Sequence, residues 1–328
     1  MHSADTMASA APFHIAFGVD AHYFRGMGVT ITSILEHNPD IDFVFHVFSS
    51  EVTHDSRRRI HQLELQYRTK ILIHIIDPSV FDEFSDFPRL VHYSPAIFTR
   101  LLIPAELNKL GNIDKLLYLD SDILCVGSLS ELMTMDISDA IVALVHDNSV
   151  ETSRTQCATL ELRHDKYFNS GVLYINIQNW IANKVTALTI TQMLTSDKTF
   201  TFPDQDALNI VLDGRVKFID GKWNYQYNLV NVLKENQASM AIPPDAVFVH
   251  FTGRLKPWHD WNPHYSKQLF LKYQSLSPWS DLPLDQPKNY KEMHMHAQFL
   301  IRRGQLADGM RWYARYILNK YSGLCQPS

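Results

Sequence analysis

Two aspartates one residue apart, Asp120 and Asp122, follow the apolar run Leu116-Leu117-Tyr118-Leu119. Such a run, bounded by charge, reads as a buried strand of a parallel sheet, so both carboxylates emerge where the chain leaves the pleat. There they can turn toward one divalent cation, and an all-oxygen pair suits Mg²⁺ or Mn²⁺. The carboxyl end of a strand is also where open α/β sheets bind ligands. A third ligand is offered far along the chain by His250, near the end of the apolar segment Ala246–Phe251. A nitrogen beside two carboxylates tilts the preference toward Mn²⁺. Taken singly, an Asp-x-Asp is also an ordinary solvated turn, and a histidine in Val-Phe-Val-His-Phe is also a satisfied core residue.

The elements that must position these groups follow from periodicity. Phe13–Asp20 reads as a strand ending in Asp20, and a helix with Gly26, Gly28, Ile31, Ile34 and Leu35 stops at Asn38-Pro39. Strands at Asp42–Phe48 and Ile71–Ile76 flank a helix from Asp55 to Tyr67, and a helix over Ser94–Leu102 carrying Arg100 leads to the strand Lys115–Leu119. This alternation predicts βαβ units, with the first four strands forming a nucleotide-binding half-sheet. Beyond them come a short helix at Ser128–Met133, a strand Ala140–Val145 running into Asp147, and a strand Gly171–Ile177 preceded by Asn169 and Ser170. A helix with Val185, Leu188 and Met193, a helix started by Asp204, and strands Val216–Ile219 and Ala246–Phe251 close the unit near Trp261. Asp20, Asp120, Asp122, Asp147, Asn169, Asp204 and His250 then gather on one edge of one sheet, with Gly171 letting a ligand approach the backbone. Gly253, Arg254 and Lys256 follow His250 in a cationic loop suited to a diphosphate. No Walker loop and no Gly-x-Gly-x-x-Gly is present, so phosphates would fall to a metal and to this loop.

Composition narrows the class. The 328 residues are 45% hydrophobic and carry a net charge of −5, enough for a substantial core and with nothing in the balance pointing to nucleic acid. Three distant cysteines, Cys125, Cys157 and Cys325, form neither a disulfide framework nor a zinc spacing, which suggests a reducing compartment. The polar start of about eleven residues lacks the pattern of a signal peptide, and no apolar run reaches the ~18 residues needed to span a bilayer. A cytoplasmic protein is expected. Between Pro287 and Lys320 stand seven Lys/Arg against Glu292 and Asp308, so this segment carries +5 and the remainder −10. Asn289 and Glu292 have capping-box spacing, Tyr290, Met293, Ala297 and Leu300 make one helical face, and Leu306, Met310, Tyr313, Ile317 and Tyr321 make a second. The pattern predicts a helical pair, basic outside and aromatic within. Trp312, Tyr313 and Tyr316 beside the basic residues suit anionic headgroups at a membrane surface, the alternative being that the pair packs on its own domain.

Four ordered motifs, LLYLDSDILCVGSL, KYFNSGVLYIN, FPDQDALN and HFTGRLKPWH, resemble glycosyltransferase family 8, in particular its bacterial lipopolysaccharide core glucosyl- and galactosyltransferases. The resemblance covers about Phe13–Trp261 and extends to the basic tail. It implies an α/β fold of GT-A (Rossmann-like nucleotide-binding) type over residues 1–262 and a small helical basic C-terminal extension over 263–328. It further implies a UDP-hexose donor, UDP-glucose or UDP-galactose, used with Mn²⁺ or Mg²⁺ and with retention of anomeric configuration. By position, Asp120, Asp122 and His250 would bind the metal, with Asp120 and Ser121 also at the nucleotide. Gly18, Asp20, His22 and Tyr23 would hold the uridine, Tyr23 by stacking. Arg100, Asp147, Asn169, Gly171, Asp204 and Gln205 would surround the donor sugar, and Gly253 and Lys256 would contact the diphosphate. The acceptor would be a lipopolysaccharide core, met at the cytoplasmic face of the inner membrane. This chain departs from the family pattern at Ala21, at His22, where asparagine is common, and at Ser170, which replaces an alanine.

Retention ordinarily suggests a carboxylate nucleophile. The matching residue here is the amide Gln205, which favours front-face attack, with Asp147 and Asp204 left as covalent alternatives. A glycogenin-like enzyme that glucosylates itself is a further member of the same family pattern. A different class, the haloacid-dehalogenase phosphatases, also places Asp-x-Asp after an apolar strand and uses the first Asp as nucleophile. Against that class, the motif lies deep in the chain and Leu124 stands where threonine is usual. An inactive sugar-nucleotide-binding module is disfavoured because all three metal ligands are present.

Overall fold

The computed structural model describes residues 11–77, 79, 96–234 and 241–322. The first ten residues of the expected leader, the start of the helix expected from Ser94, and Cys325 lie outside the described residues. In chain order the elements begin with β1 (Phe13–Gly18), α1 (Phe24–His37), β2 (Phe43–Ser49), α2 (His54–Tyr67), β3 (Lys70–Ile75), α3 (Ala96–Asn108), β4 (Lys115–Leu119) and β5 (Ile123–Cys125). There follow α4 (Ser130–Thr134), β6 (Val142–His146), α5 (Val150–Leu160), β7 (Phe168–Asn176), α6 (Ile177–Ala182), α7 (Val185–Thr195), α8 (Pro203–Val211) and β8 (Lys217–Phe218). The last are β9 (Tyr225–Gln226), α9 (Leu229–Lys234), β10 (Phe248–His250), α10 (Ser266–Ser275), α11 (Tyr290–Arg302) and α12 (Leu306–Ser322).

A seven-stranded sheet runs β3-β2-β1-β4-β7-β6-β8, and a three-stranded sheet runs β5-β10-β9. The first four strands of the large sheet are mutually parallel, as the βαβ alternation predicts, while β7 is antiparallel to both of its neighbours. From β1 the chain turns outward to β2 and β3 and returns to β4 on the other side of β1, so the reversal of strand order opens between β1 and β4. That reversal is where such sheets bind ligands. Phe45, Phe17, Leu117, Leu144 and Ile175 are fully buried, which explains why these strands read as apolar runs.

Two expectations about the strands are corrected. β7 begins at Phe168, so Asn169 and Ser170 lie inside it rather than ahead of it. His250 ends a strand of the small sheet, so the polar residues converge from two sheets and two helices rather than along one sheet edge. β10 falls within the strand expected at Ala246–Phe251, but its partners β5 and β9 escape pattern reading because they have three and two residues. The small sheet is held to α1 by side chains: Thr30 donates to the Ile123 carbonyl (2.6 Å) and the Cys125 amide donates to Ser33 Oγ (2.9 Å).

The described residues of Met1–Gln226 and Pro243–His250 form one compact unit, and those of Tyr227–Ile242 and Phe251–Ser328 a second. In the second, Trp258, Phe270, Tyr273 and Trp279 are buried, and Trp261 stacks near Phe299 in α11 with ring centroids 6.4 Å apart. Asn289 caps α11 by accepting from Lys291 and Glu292 amides, while Glu292 reaches back to the Lys288 amide (2.7 Å). The α11–α12 seam holds His294 against Tyr316 and His296 against Trp312. The stripe expected to be buried, Leu306, Met310, Tyr313, Ile317 and Tyr321, faces out instead and is 41–64% exposed.

Across β1, β2 and β3 three imidazoles form a ladder. His14 Nδ1 lies 3.0 Å from His46 Nε2, and His46 Nδ1 lies 3.0 Å from His74 Nε2. Burial, then the neighbouring His74, His14 and Lys70, lowers the pKa of His46 to about 3. The unfolded chain, with an ordinary histidine pKa, therefore binds a proton that the fold refuses. The stabilisation is complete above about pH 6.5 and is lost as pH falls toward 3. His46→Gln is expected to flatten the fall in melting temperature between pH 7 and 5, by up to ~1.4 kcal/mol of stability per pH unit. Identical pH profiles for the variant and the parent chain would contradict this.

Candidate functional site

The site is built on the link between the two sheets. β4 ends at Leu119, Asp120-Ser121-Asp122 makes the turn, and β5 begins at Ile123. β10 pairs antiparallel with β5 so that His250 lies opposite Ile123, one residue from Asp122. This register brings His250 Nε2 within 3.2 Å of Asp122 Oδ1 and 3.9 Å of Asp120 Oδ2. One ligand atom from each of the three residues lies within 4.8 Å of the others.

The donor set fits a cation. Asn224 Oδ1 lies 3.0 Å from His250 Nδ1, and Asn224 spends its amide protons on Asn169 Oδ1 (2.9 Å), so its oxygen faces the ring and Nδ1 carries the proton. Nε2 then presents a lone pair to two carboxylates. Three acceptors aimed at one point repel unless a positive charge, a proton or a metal ion, sits among them. Gly171 makes the convergence sterically feasible. A Cβ at this position would stand 2.3 Å from His250 Cε1 and 2.9 Å from Asp120 Oδ2, so the space over it is filled by the imidazole and the carboxylate.

Arg100, buried on α3, ties this cluster to the next. It donates to Asp120 Oδ1 (3.0 Å), to Ser170 Oγ (2.6 Å) and to the Ser170 carbonyl (2.9 Å), and its Nε lies 3.0 Å from Asp204 Oδ2. Burial opposes its charge, but Asp120, Tyr118, Asp204 and Asp122 outweigh burial and hold its pKa above the usual value. Burial pushes the Asp204 carboxyl up in spite of Arg100, and Asp147 is likewise raised by burial. Removing one member of such a buried charge group costs about 3–5 kcal/mol, because the partners are left uncompensated. Ser170 thus links Arg100 to Gln205, whose Oε1 lies 3.3 Å from its hydroxyl.

Arg100, Asp120, Asp122, Asn169, Gly171, Asp204, Gln205 and His250 come together. Asp204 does not cap α8; Phe202 holds the cap position, and Asp204 lies in the first turn facing Arg100. Ser121 is buried between the two aspartates. Gly18 ends β1 beside β4, and Asp20 folds back to accept from the His22 amide (2.9 Å), with Tyr23 at the start of α1. Asp147 follows β6 and uses Oδ1 to accept from the Ser149 amide (2.9 Å). Gly253 and Lys256 belong to the second unit, where Gly253 has φ +86° and the buried Lys256 ammonium donates to the Phe251 carbonyl (2.9 Å). Sequence reasoning missed Tyr118, Tyr167, Asp206 and Asn224. Tyr167 and Asp206 stand two residues from Asn169 and Asp204, whereas Asn224 ends a single 3-10 turn, Gly221–Asn224, too short to carry a sequence signal.

The family model described as Glycosyl transferase family 8 matches residues 14–262, and one described as Glycosyl transferase family 8 C-terminal matches residues 265–320. A lipopolysaccharide 1,3-galactosyltransferase of Salmonella typhimurium is 32% identical over 320 residues, 95% of this chain and 93% of the relative. The lipopolysaccharide glucosyltransferase WaaO of Escherichia coli is 32% identical over 312 residues, 93% of this chain and 90% of the relative. Among solved structures, the galactosyltransferase LgtC in complex with donor and acceptor sugar analogues superimposes with a TM-score of 0.65 at 22% identity, covering 83% of this chain and 98% of that one.

The convergence over β7 can be tested directly. Gly171→Ala is expected to leave the secondary structure intact by circular dichroism and to weaken Mn²⁺ binding at least about tenfold, as displacement of a ligand does. Mn²⁺ affinity equal to that of the parent chain would contradict the placement of His250 and Asp120.

Proposed function

The chain belongs to glycosyl transferase family 8 and is a hexosyltransferase of GT-A fold, and from that premise we propose that it transfers glucose or galactose from a UDP-sugar to a growing lipopolysaccharide core, with retention of anomeric configuration. The observation that carries the reading is the convergence of Asp120, Asp122 and His250 beside Arg100 and Gln205, where β4 leaves the sheet. Relatives at 32% identity that span nearly the whole chain bear the names of lipopolysaccharide galactosyl- and glucosyltransferases. No comparable support exists for the phosphatase reading.

In this reading Asp120, Asp122 and His250 hold Mn²⁺ or Mg²⁺, which when bound supplies Lewis-acid stabilisation of the departing diphosphate. Gly18, Asp20, His22 and Tyr23 take the uridine, Tyr23 by stacking. Arg100, Asn169 and Asp204 orient the donor sugar. The bond from the anomeric carbon to the phosphate oxygen breaks, a bond to the acceptor oxygen forms on the same face, and the acceptor proton passes to the leaving phosphate. Gln205 supports the positive sugar with its carbonyl dipole. Burial pushes the carboxyls of Asp147 and Asp204 toward their neutral forms, which disfavours the anion a covalent route requires.

With core-truncated lipopolysaccharide as acceptor and Mn²⁺ present, the protein is expected to release UDP from UDP-glucose or UDP-galactose and to add one hexose to the acceptor. Phosphate release from monoesters with no UDP release would overturn the reading. Hexose increments on the protein itself would redirect it to a glycogenin-like role, and an adduct on Asp147 or Asp204 in intact-mass spectra would replace front-face attack.

The basic pair α11–α12 is proposed as a membrane-surface contact at the cytoplasmic face of the inner membrane. No helix among the described residues is long and apolar enough to cross a bilayer. α12 instead exposes Leu306, Met310, Tyr313, Ile317, Leu318 and Tyr321 on a segment that also carries Arg311, Arg315 and Lys320. Exposed apolar and aromatic groups set among cations suit an anionic headgroup layer. Tyr313→Ser with Ile317→Ser is expected to reduce binding to phosphatidylglycerol-containing vesicles at low salt, while turnover of soluble acceptor analogues stays within about twofold, as is usual for exposed substitutions. Vesicle binding that neither these changes nor added salt diminishes would contradict the contact.

A further inference from the structure

Five hydrogen bonds run head to tail from the metal cluster to a carboxylate behind it. The chain starts at His250 Nδ1 and passes to Asn224 Oδ1 (3.0 Å), from Asn224 Nδ2 to Asn169 Oδ1 (2.9 Å) and from Asn169 Nδ2 to Gln205 Oε1 (3.3 Å). It continues from Gln205 Nε2 to Tyr167 Oη (2.9 Å) and from Tyr167 Oη to Asp206 Oδ1 (2.5 Å). Every link points the same way, and groups that cannot reverse pin the direction. The Gly171 amide donates to Asn169 Oδ1 (3.0 Å) and the Ser170 amide to Gln205 Oε1 (3.0 Å), so both oxygens must stay where they are. At the far end the Asp206 carboxylate only accepts, taking Thr201 and Phe202 amides on Oδ2 (2.7 and 2.9 Å) and the tyrosine proton on Oδ1. Tyr167 therefore has only lone pairs left for Gln205, which must turn its NH₂ toward it.

We infer that Asn224, Tyr167 and Asp206 are positioning residues. Asn224 holds the Nδ1–H tautomer of His250, so that Nε2 faces the cation site. The Tyr167–Asp206 pair fixes which end of the Gln205 amide faces the Asn169–Ser170 side of the cluster. The role of Gln205 rests on the transferase reading above; the polarity of the chain does not. These residues are nearly or fully buried, with Asn224 at 1%, Tyr167 at 1% and Asp206 at 0% exposure, so no competing water sets their orientation. The hydrogen bond to the second imidazole nitrogen is what ordinarily decides which nitrogen a metal receives.

Two variants test the two ends separately. Asn224→Leu removes the acceptor for Nδ1–H. It is expected to weaken binding of Mn²⁺ alone, measured calorimetrically, by about 10–100-fold, and to shift the imidazole nitrogen signals of His250 in metal-free protein labelled with ¹⁵N-histidine. Asp206→Asn is isosteric. The Thr201 and Phe202 amides pin its carbonyl, its NH₂ turns to Tyr167, and the tyrosine proton is released toward Gln205. The side-chain amide signals of Gln205, assigned by their loss in Gln205→Ala, are expected to move, and UDP-sugar turnover to fall on the order of tenfold, as the loss of one hydrogen bond made in the transition state would cause. The same change placed in Gln205→Ala is expected to have no further effect on turnover, whereas a merely structural role would add its own loss. Parental Mn²⁺ affinity in folded Asn224→Leu overturns the metal end of the proposal, and unmoved Gln205 signals in Asp206→Asn overturn the amide end. Shifted signals in a protein that releases UDP from no UDP-hexose leave the polarity chain standing and overturn the transferase reading instead.

Discussion

Three hydrogen-bond acceptors, the carboxylates of Asp120 and Asp122 and the Nε2 lone pair of His250, are held within 4.8 Å of one another, the imidazole buried and the carboxylates partly so. Such a cluster demands positive charge. Arg100 meets part of the demand by bridging Asp120 to Asp204, and its own burial is tolerated because carboxylates lie on both sides of it. The side facing His250 has the donor set of a cation site.

Fold and charge arrangement are linked by topology. One parallel half-sheet delivers Gly18 and Asp120 side by side from β1 and β4, and a turn of three residues then passes the chain to a second, very small sheet. The antiparallel pairing of β10 with β5 is what brings residue 250 to residue 122 across more than a hundred positions of sequence. The β7 strand, antiparallel in the midst of parallel neighbours, lays the backbone of Asn169, Ser170 and Gly171 between the Asp120–Asp122–His250 cluster and Gln205. The absence of a side chain at Gly171 then lets two ligands occupy the space above it.

The elements legible from sequence were those with a strong period or a strong contrast. β1 to β4 announced themselves as apolar runs ending in charge, and α11 announced itself through Asn289 and Glu292. The Asp-x-Asp pair and His250 were legible as a candidate cluster because each stands at the end of an apolar run. Of the small sheet only β10 was legible, within the expected strand Ala246–Phe251; β5 and β9 were not, since two or three residues carry no period. Nor was the outward-facing stripe of α12, because an apolar periodicity tells which residues share a face and not whether that face is covered. Asn224, Tyr167 and Asp206 were hidden for another reason. Their importance lies in the direction of hydrogen bonds, which depends on how amides from three distant segments meet, and residue type alone does not encode it.

The account turns on whether Asp120 and Asp122 bind a nucleoside diphosphate through a metal ion. Calorimetric titration of UDP into the parent chain and into an Asp120→Ala, Asp122→Ala double variant, each with Mn²⁺ and with chelator, addresses this most directly. Binding that requires Mn²⁺ in the parent chain and is lost in the double variant, with the fold intact by circular dichroism, is the predicted result. Mn²⁺-dependent UDP binding that survives both substitutions would contradict it.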